Sequence, residues 1–229
     1  MIVPTVPPPG NVRAVLAEEL DDLRSIVAGL SDAELVRATG CQGWRVADLL
    51  VHLRLGAEDL LHGLAAPWEG PADRDYISCW KEWPARSEVT FSDVRLTWAM
   101  AAWYTTAEGL RRHFDDVVDM AATASRAARA GHVRLHGHVQ GTEDFLAMWA
   151  VEFCIHHLDL LVGVPDRPGP RPGAVELAIS TVDGLLGELQ RPASWDELTY
   201  LRKATGREAL DDADRDHLGA DAARYPVFG

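Results

Sequence analysis

The run from Thr142 to Gly163, TEDFLAMWAVEFCIHHLDLLVG, constrains this chain more than any other. As a helix it is apolar nearly all round, so it has to be enclosed by other elements rather than lie on a surface. Thr142 can cap a helix running from Glu143 to about Val162, and Gly163 and Pro165 end it. Three titratable residues interrupt the apolar surface: Glu152, His156 and Asp159. At about 100° per residue, steps of four and seven return to nearly the same face, so the three share one strip. Trp149, Phe153, Ile155, Leu158 and Leu160 surround them. A buried carboxylate or imidazole is costly unless it is paired or bound to a metal.

The enclosing helices are legible upstream. Pro7, Pro8, Pro9 and Gly10 prevent a helix, and the chain starts afresh at Val12. Val12, Val15, Leu16, Leu20, Leu23, Ile26, Val27 and Leu30 then follow helical spacing. Ser31 and Glu34 form a capping box for a short helix stopping near Gly40. A second long helix after Gly43 carries Val46, Leu49, Leu50, Leu53, Leu60, Leu61 and Leu64, and Pro67 ends it. Residues 67–90 read as an ordered loop packed on the bundle and rich in tryptophan (Trp68, Trp80, Trp83), with a candidate role as a lid over a site. A third stretch, Phe91 to about Ala130, is expected to bend or break near Asp115. Gly131 and the alternation of Val133, Leu135, Gly137 and Val139 predict a short extended segment. After a proline-rich linker, Pro165 to Pro172, helices are expected from Ala174 to Leu189 and from Ser194, with Glu197 three on, to Gly206. The expected architecture is all-α: a four-helix bundle over residues 11–164 and a small, mainly helical C-terminal extension over 165–229.

The 229 residues carry a formal charge of −13 and show no basic cluster, which argues against nucleic acid and anionic membrane as partners. No run approaches about 18 consecutive apolar residues, and Met1 to Gly10 has no cationic start of a secretory signal. Cys41, Cys79 and Cys154 are odd in number with no CxxC spacing, as expected of reduced thiols in a cytoplasm. Lys81 and Lys203 are the only lysines, an arginine bias that suggests a high-GC genome.

The second long helix supplies a partner for the polar strip. His52 follows Asp48 by one turn and precedes Asp59 by seven residues, interrupting a leucine-rich surface. His52 from one helix with Glu152 and His156 from another make three nitrogen and oxygen donors, for which zinc is the first candidate, with open positions for water or substrate. The alternatives are a hydrogen-bonded core histidine and a buried Glu152–His156 ion pair. Asp59 is the candidate for a fourth ligand, which would make the ion structural. Cys154 lies roughly opposite Glu152 and is cast as neither ligand nor nucleophile; Cys41 and Trp44 read as packing, and His157 faces a neighbouring element. His132, Arg134, His136 and His138 share one face of the extended segment. Arg134, Arg202 and Arg207 are candidate clamps for a substrate carboxylate.

The segment Cys41-Gln42-Gly43-Trp44-Arg45-Val46-Ala47-Asp48-Leu49-Leu50-Val51-His52-Leu53 resembles the signature of the DinB-like superfamily, nearest its branch of mycothiol-dependent maleylpyruvate isomerases and S-transferases. Glu152-Phe153-Cys154-Ile155-His156-His157-Leu158-Asp159 is similar to that branch's second motif, and Ala204-Thr205-Gly206-Arg207 resembles a segment of its actinobacterial members. The resemblance implies a four-helix bundle holding zinc or a similar ion on His52, Glu152 and His156. Asp48 and Asp159, beside them on the same helices, are the candidates for orienting the ligands, and Asp159 alternatively for accepting a proton. It also implies thiol chemistry, in which mycothiol or a similar small thiol adds to an electrophilic small molecule and no protein side chain is the nucleophile. Addition alone is transfer; addition and elimination isomerise a double bond. The isomerases carry a C-terminal α/β domain whose alternating strands this tail lacks, which places maleylpyruvate itself in question. The competing expectations are a non-catalytic metal-binding bundle and a hydrolase using metal-activated water. A homodimer is compatible with the exposed loop and tail.

Overall fold

The computed structural model describes residues 8–82, 88–187, 189 and 191–228; Trp83 and the stretch preceding Pro8 lie outside them. The chain runs through α1 (Val12–Ala28), α2 (Asp32–Leu35), α3 (Val46–Leu64), β1 (Pro67–Trp68), a 3-10 turn (Ser78–Glu82), α4 (Glu88–Ala101), α5 (Ala107–Ala127), β2 (His132–Leu135), β3 (His138–Gly141) and α6 (Thr142–Gly163). The C-terminal extension follows as α7 (Pro172–Leu186), α8 (Glu197–Ala204), α9 (Asp212–Leu218) and a final 3-10 turn (Gly219–Arg224).

Four helices form a bundle in which each packs on two others, in the order α1, α5, α3, α6 and back to α1. Leu16, Leu20 and Leu23, Leu49, Leu50 and Leu53, Leu110, Phe114 and Val118, and Leu146 and Phe153 are all buried at its centre. The all-α expectation therefore holds. α6 is long and apolar enough to pass for a membrane span, yet 72% of its most apolar window is buried inside the protein. Its other flank is covered by α7, which also touches α1. The all-round apolar pattern thus marks a core helix. His157 and Glu19 meet between α6 and α1, neither exposed, with His157 Nδ1 2.6 Å from Glu19 Oε1 and Nε2 3.0 Å from the Pro168 carbonyl.

The third helical stretch breaks earlier than expected, at residues 102–106 rather than near Asp115. A new helix start leaves backbone N–H groups without intrahelical partners. Here the Thr106 hydroxyl accepts from the Gly109 N–H at 3.3 Å and Asp32 accepts from the Ala107 N–H at 2.6 Å. Asp115 instead sits mid-helix and accepts from Arg24 Nε at 2.8 Å.

The extended segment is a hairpin. β2 and β3 pair antiparallel from His132↔Gly141 to Leu135↔His138, and β1 adds to the other side of β2. His136 and Gly137, at φ of 50° and 87°, form the two-residue turn, whose left-handed backbone suits a hairpin's twist. That turn divides the row of His132, Arg134, His136 and His138 between two strands.

The described part of the tryptophan-rich loop is packed, as expected. Trp68 lies in β1 under the Arg134 guanidinium, Tyr76 Oη meets Ser180 Oγ of α7 at 3.2 Å, and Trp80 is buried and stacked on Phe228 at 4.6 Å. These contacts tie the described part of the loop to the hairpin, α7 and the C-terminus. In the extension, α8 is capped by Asp196, which accepts from Thr199 N at 2.7 Å, rather than by Ser194. α9, not anticipated from the sequence, is opened by a reciprocal cap between Asp211 and Asp214, and Lys203 pairs with Asp214 beneath it. Among the described residues no strand follows Gly141, and the elements of the extension are helical.

Candidate metal centre

Packing α3 against α6 brings His52 onto the polar strip. The approach is close because the helices use a glycine where they cross: a Cβ on Gly56, one turn beyond His52, would stand 2.9 Å from the Trp149 ring. His52 Nε2 is 3.1 Å from Glu152 Oε1 and 3.1 Å from His156 Nε2, and the third edge, His156 Nε2 to Glu152 Oε1, is 3.2 Å. The two rings are nearly perpendicular, with centroids 4.7 Å apart.

This triangle is a poor hydrogen-bond pattern, because an imidazole N–H points at one acceptor and each Nε2 here faces two atoms equally. It is a good ligand pattern. Donors about 2.0–2.2 Å from one ion stand roughly 2.8–3.1 Å apart at octahedral angles and roughly 3.3–3.6 Å apart at tetrahedral ones. The observed edges fall within those limits, and the donor set of two imidazoles and a carboxylate suits zinc or a similar divalent ion. Side-chain exposure of 32% for His52 against 12% for His156 leaves the site open on the His52 side.

The second nitrogen of His156 is held from behind. His156 Nδ1 donates to Asp159 Oδ2 at 2.9 Å, fixing the ring so that Nε2 faces the triangle. Trp44 packs edge-on against the His52 ring at 5.2 Å. Burial alone would push the Glu152 carboxyl up, but His156 and then His52 beside it hold it well below the usual carboxylate range. Burial opposes a charged His156, yet Glu152 and Asp159 raise it well above its ordinary value. Asp159 is likewise depressed against burial by His156 and Arg207.

Two residues at this site escaped the sequence-based reading. Cys41, read as packing, donates its Sγ–H to Asp159 Oδ2 at 3.1 Å and lies 3.6 Å from His156 Nδ1. Arg207, read as a substrate clamp, is instead forked onto Asp159, with Nη2 3.0 Å from Oδ2 and Nε 3.2 Å from Oδ1. Cys41 arrives on a tight turn between α2 and α3, closed by Trp44 N donating to the Cys41 carbonyl at 3.0 Å, with Gly43 at φ 81°. The turn rests directly on α6: Gly40 N donates to the Asp159 carbonyl at 2.9 Å, and a Cβ on Gly40 would stand 2.3 Å from Asp159 Oδ1 and 3.0 Å from its Cα. Gly40→Ala is therefore expected to destabilise the fold by about 1–3 kcal/mol and to weaken metal binding by displacing Asp159. Thermal unfolding and a zinc titration of the variant check both effects.

The other candidates go elsewhere. Asp48 accepts from the Arg45 N–H at 2.8 Å and so caps its own helix, and its carboxylate has no described contact with His52. It borders a cavity of about 500 Å³, shared with Asp32, Arg45, Trp98 and Tyr104, which none of the three donors lines. Asp59 faces His136 at 3.2 Å and is no fourth ligand. Arg134 lies on the exposed hairpin over Trp68, and Arg202 binds Glu208 at 3.1 Å and Thr199 at 3.0 Å. Cys154 is fully buried, and burial followed by the Glu19 charge pushes its thiol well up. Among the described residues the possible metal-holding groups are His52, Glu152 and His156, and Cys41, His156 and Asp159.

The helical bundle and the His/Glu/His cluster between two of its helices match the DinB-like resemblance of the sequence. Within that class, the chain belongs to the family described as the mycothiol maleylpyruvate isomerase N-terminal domain, whose profile matches residues 16–161. All three donors and Asp159 lie inside that span; Arg207 lies outside it. In fold the chain is similar to a crystal structure of the mycothiol-dependent maleylpyruvate isomerase, with 18% identity, a TM-score of 0.51 and coverage of 76% of this chain and 68% of that one. A second structure, of a histidine-to-alanine mutant of that isomerase, gives 16% identity and a TM-score of 0.52 over the same shares. No curated protein shows significant similarity.

Proposed function

We propose that this protein is a metal-dependent transferase or isomerase that adds mycothiol, or a similar small thiol, to an electrophilic small molecule. His52, Glu152 and His156 hold zinc or a similar divalent ion. The observation that carries this reading is the triangle of donors, 3.1, 3.1 and 3.2 Å on its edges, anchored from behind at His156 Nδ1 and accessible beside His52. The bound ion would supply Lewis acidity that favours the deprotonated thiol and a template that brings thiol and electrophile together.

The chain's own residues define the rest. Cys154 is sealed in the core, burial pushes the Cys79 thiol up, and the Cys41 Sγ–H is directed at Asp159. The nucleophile therefore comes from outside, and family membership supports mycothiol as its source. Asp159, 1% exposed and shared among three donor residues, orients His156 rather than meeting substrate. The thiolate sulfur forms a bond to a carbon of a double bond conjugated to a carbonyl, and the π pair passes onto the carbonyl as an enolate. Protonation of the adjacent carbon gives the adduct; rotation about the former double bond, return of the pair and loss of the thiolate give the isomer.

Incubating the zinc-loaded protein with mycothiol and a panel of electrophiles that includes maleylpyruvate tests the proposal. The expected result is thiol adduct or thiol-dependent isomer by mass spectrometry, abolished by a chelator. Hydrolysis independent of thiol would instead identify a water-activating enzyme, and no turnover of any electrophile would support a non-catalytic metal protein.

A further inference from the structure

We infer that Arg207, delivered by the C-terminal extension, is a positioning residue for the metal ligand His156 and acts through Asp159. The inference rests on the reading of His52, Glu152 and His156 as metal ligands.

Asp159 is a carboxylate in the core, 1% exposed, and an anion there requires compensation. Its Oδ2 accepts from His156 Nδ1 at 2.9 Å, Arg207 Nη2 at 3.0 Å and Cys41 Sγ at 3.1 Å. The Arg207 contact is the only one of the three that brings a full and permanent positive charge, and its planar fork grips both carboxylate oxygens. Without it, the carboxylate is free to rotate, and His156 Nδ1 loses the acceptor that sets which nitrogen faces the metal. The guanidinium is itself held: Nη1 donates to the Thr205 carbonyl at 2.8 Å, and the side chain is 16% exposed. The backbone aims it. α8 ends at Ala204, Gly206 adopts φ 74°, and Arg207 N donates back to the Arg202 carbonyl at 2.8 Å, which turns the chain toward α6. The extension thus supplies the bundle with the charge that locks its metal ligand, from a residue beyond the family-defining segment.

The test is zinc affinity, measured by competition with a chromophoric chelator on the full chain. The variants are Arg207→Ala, Arg207→Lys, Asp159→Asn, the Arg207→Ala/Asp159→Asn double variant, and Arg202→Ala from the same helix end. Removing a group that orients a metal ligand typically costs 10–100-fold in affinity. Arg207→Ala is expected to lose that much and Arg207→Lys less. Arg202→Ala is expected to lose nothing, and adding Arg207→Ala to Asp159→Asn is expected to change affinity by less than about threefold, since the carboxylate it serves is gone. Should Arg207→Ala not fold, Arg207→Lys with and without Asp159→Asn makes the same comparison. Wild-type affinity in a folded Arg207 variant, or an equal loss in both backgrounds, would overturn the inference while leaving the metal site intact. A wild-type protein that binds no stoichiometric zinc, or a His156→Ala variant that binds it as tightly, would overturn the metal reading and the inference with it.

Discussion

His157→Ala is expected to lower the melting temperature by roughly 6–20 °C while leaving the metal bound. His157 and Glu19 are both fully buried, and the imidazole stands between the Glu19 carboxylate and the Pro168 carbonyl. Arg171 N, at the start of α7, approaches the other Glu19 oxygen at 3.4 Å. Removing the histidine strands a carboxylate in the core and loosens the docking of the extension. Breaking a buried pair from one side costs about 3–5 kcal/mol, and in a chain of this size each kcal/mol moves the midpoint by roughly 2–4 °C. Calorimetry on wild type and variant, both without metal, reads the effect. A change under about 2 °C would mean that the pair is not a keystone of the core.

His156→Ala, one residue earlier, is expected to do the reverse. The substitution removes one corner of the donor triangle, and Glu152 and His52 alone make a two-point site. Zinc affinity should fall by on the order of 100-fold or more, beyond the range for removing a group that merely orients a ligand. Asp159 keeps Arg207 and Cys41 as partners, and Glu152 is partly open to water, so the metal-free fold should change little. Equilibrium dialysis against buffered zinc checks the affinity. Two adjacent histidines, about 100° apart on one helix, thus divide the work of binding and folding.

Much of this was legible because α6 carries its own context. A helix apolar on every side announces its burial, and titratable residues at helical spacing within it announce a shared buried strip. His52 could be added because α3 presents the same conflict of a polar group on a leucine-rich face. The failures also have physical causes. Asp48 and Asp59 lie near His52 by helical spacing, but Asp48 falls in the first turn, where free N–H groups claim a carboxylate, and Asp59 meets the hairpin's His136. The helix break moved from Asp115 to residues 102–106 because Asp32, from a distant turn, supplies half of the cap. Cys41 and Arg207 reach Asp159 from 118 and 48 residues away, through two turns whose direction depends on Gly40, Gly43 and Gly206. No periodicity spans such distances. The tryptophan-rich loop was legible as packed, but the partner of Trp80 was not, because Phe228 lies at the opposite end of the chain.

X-ray absorption at the zinc edge, on the wild-type protein loaded with one equivalent of zinc in the absence of added thiol, tests the central assignment most directly. Coordination by His52, Glu152 and His156 predicts a first shell of nitrogen and oxygen only, at about 2.0–2.2 Å, with the outer-shell scattering of imidazole and no sulfur. A sulfur neighbour at about 2.3 Å would move the ion to Cys41, His156 and Asp159 and contradict the account.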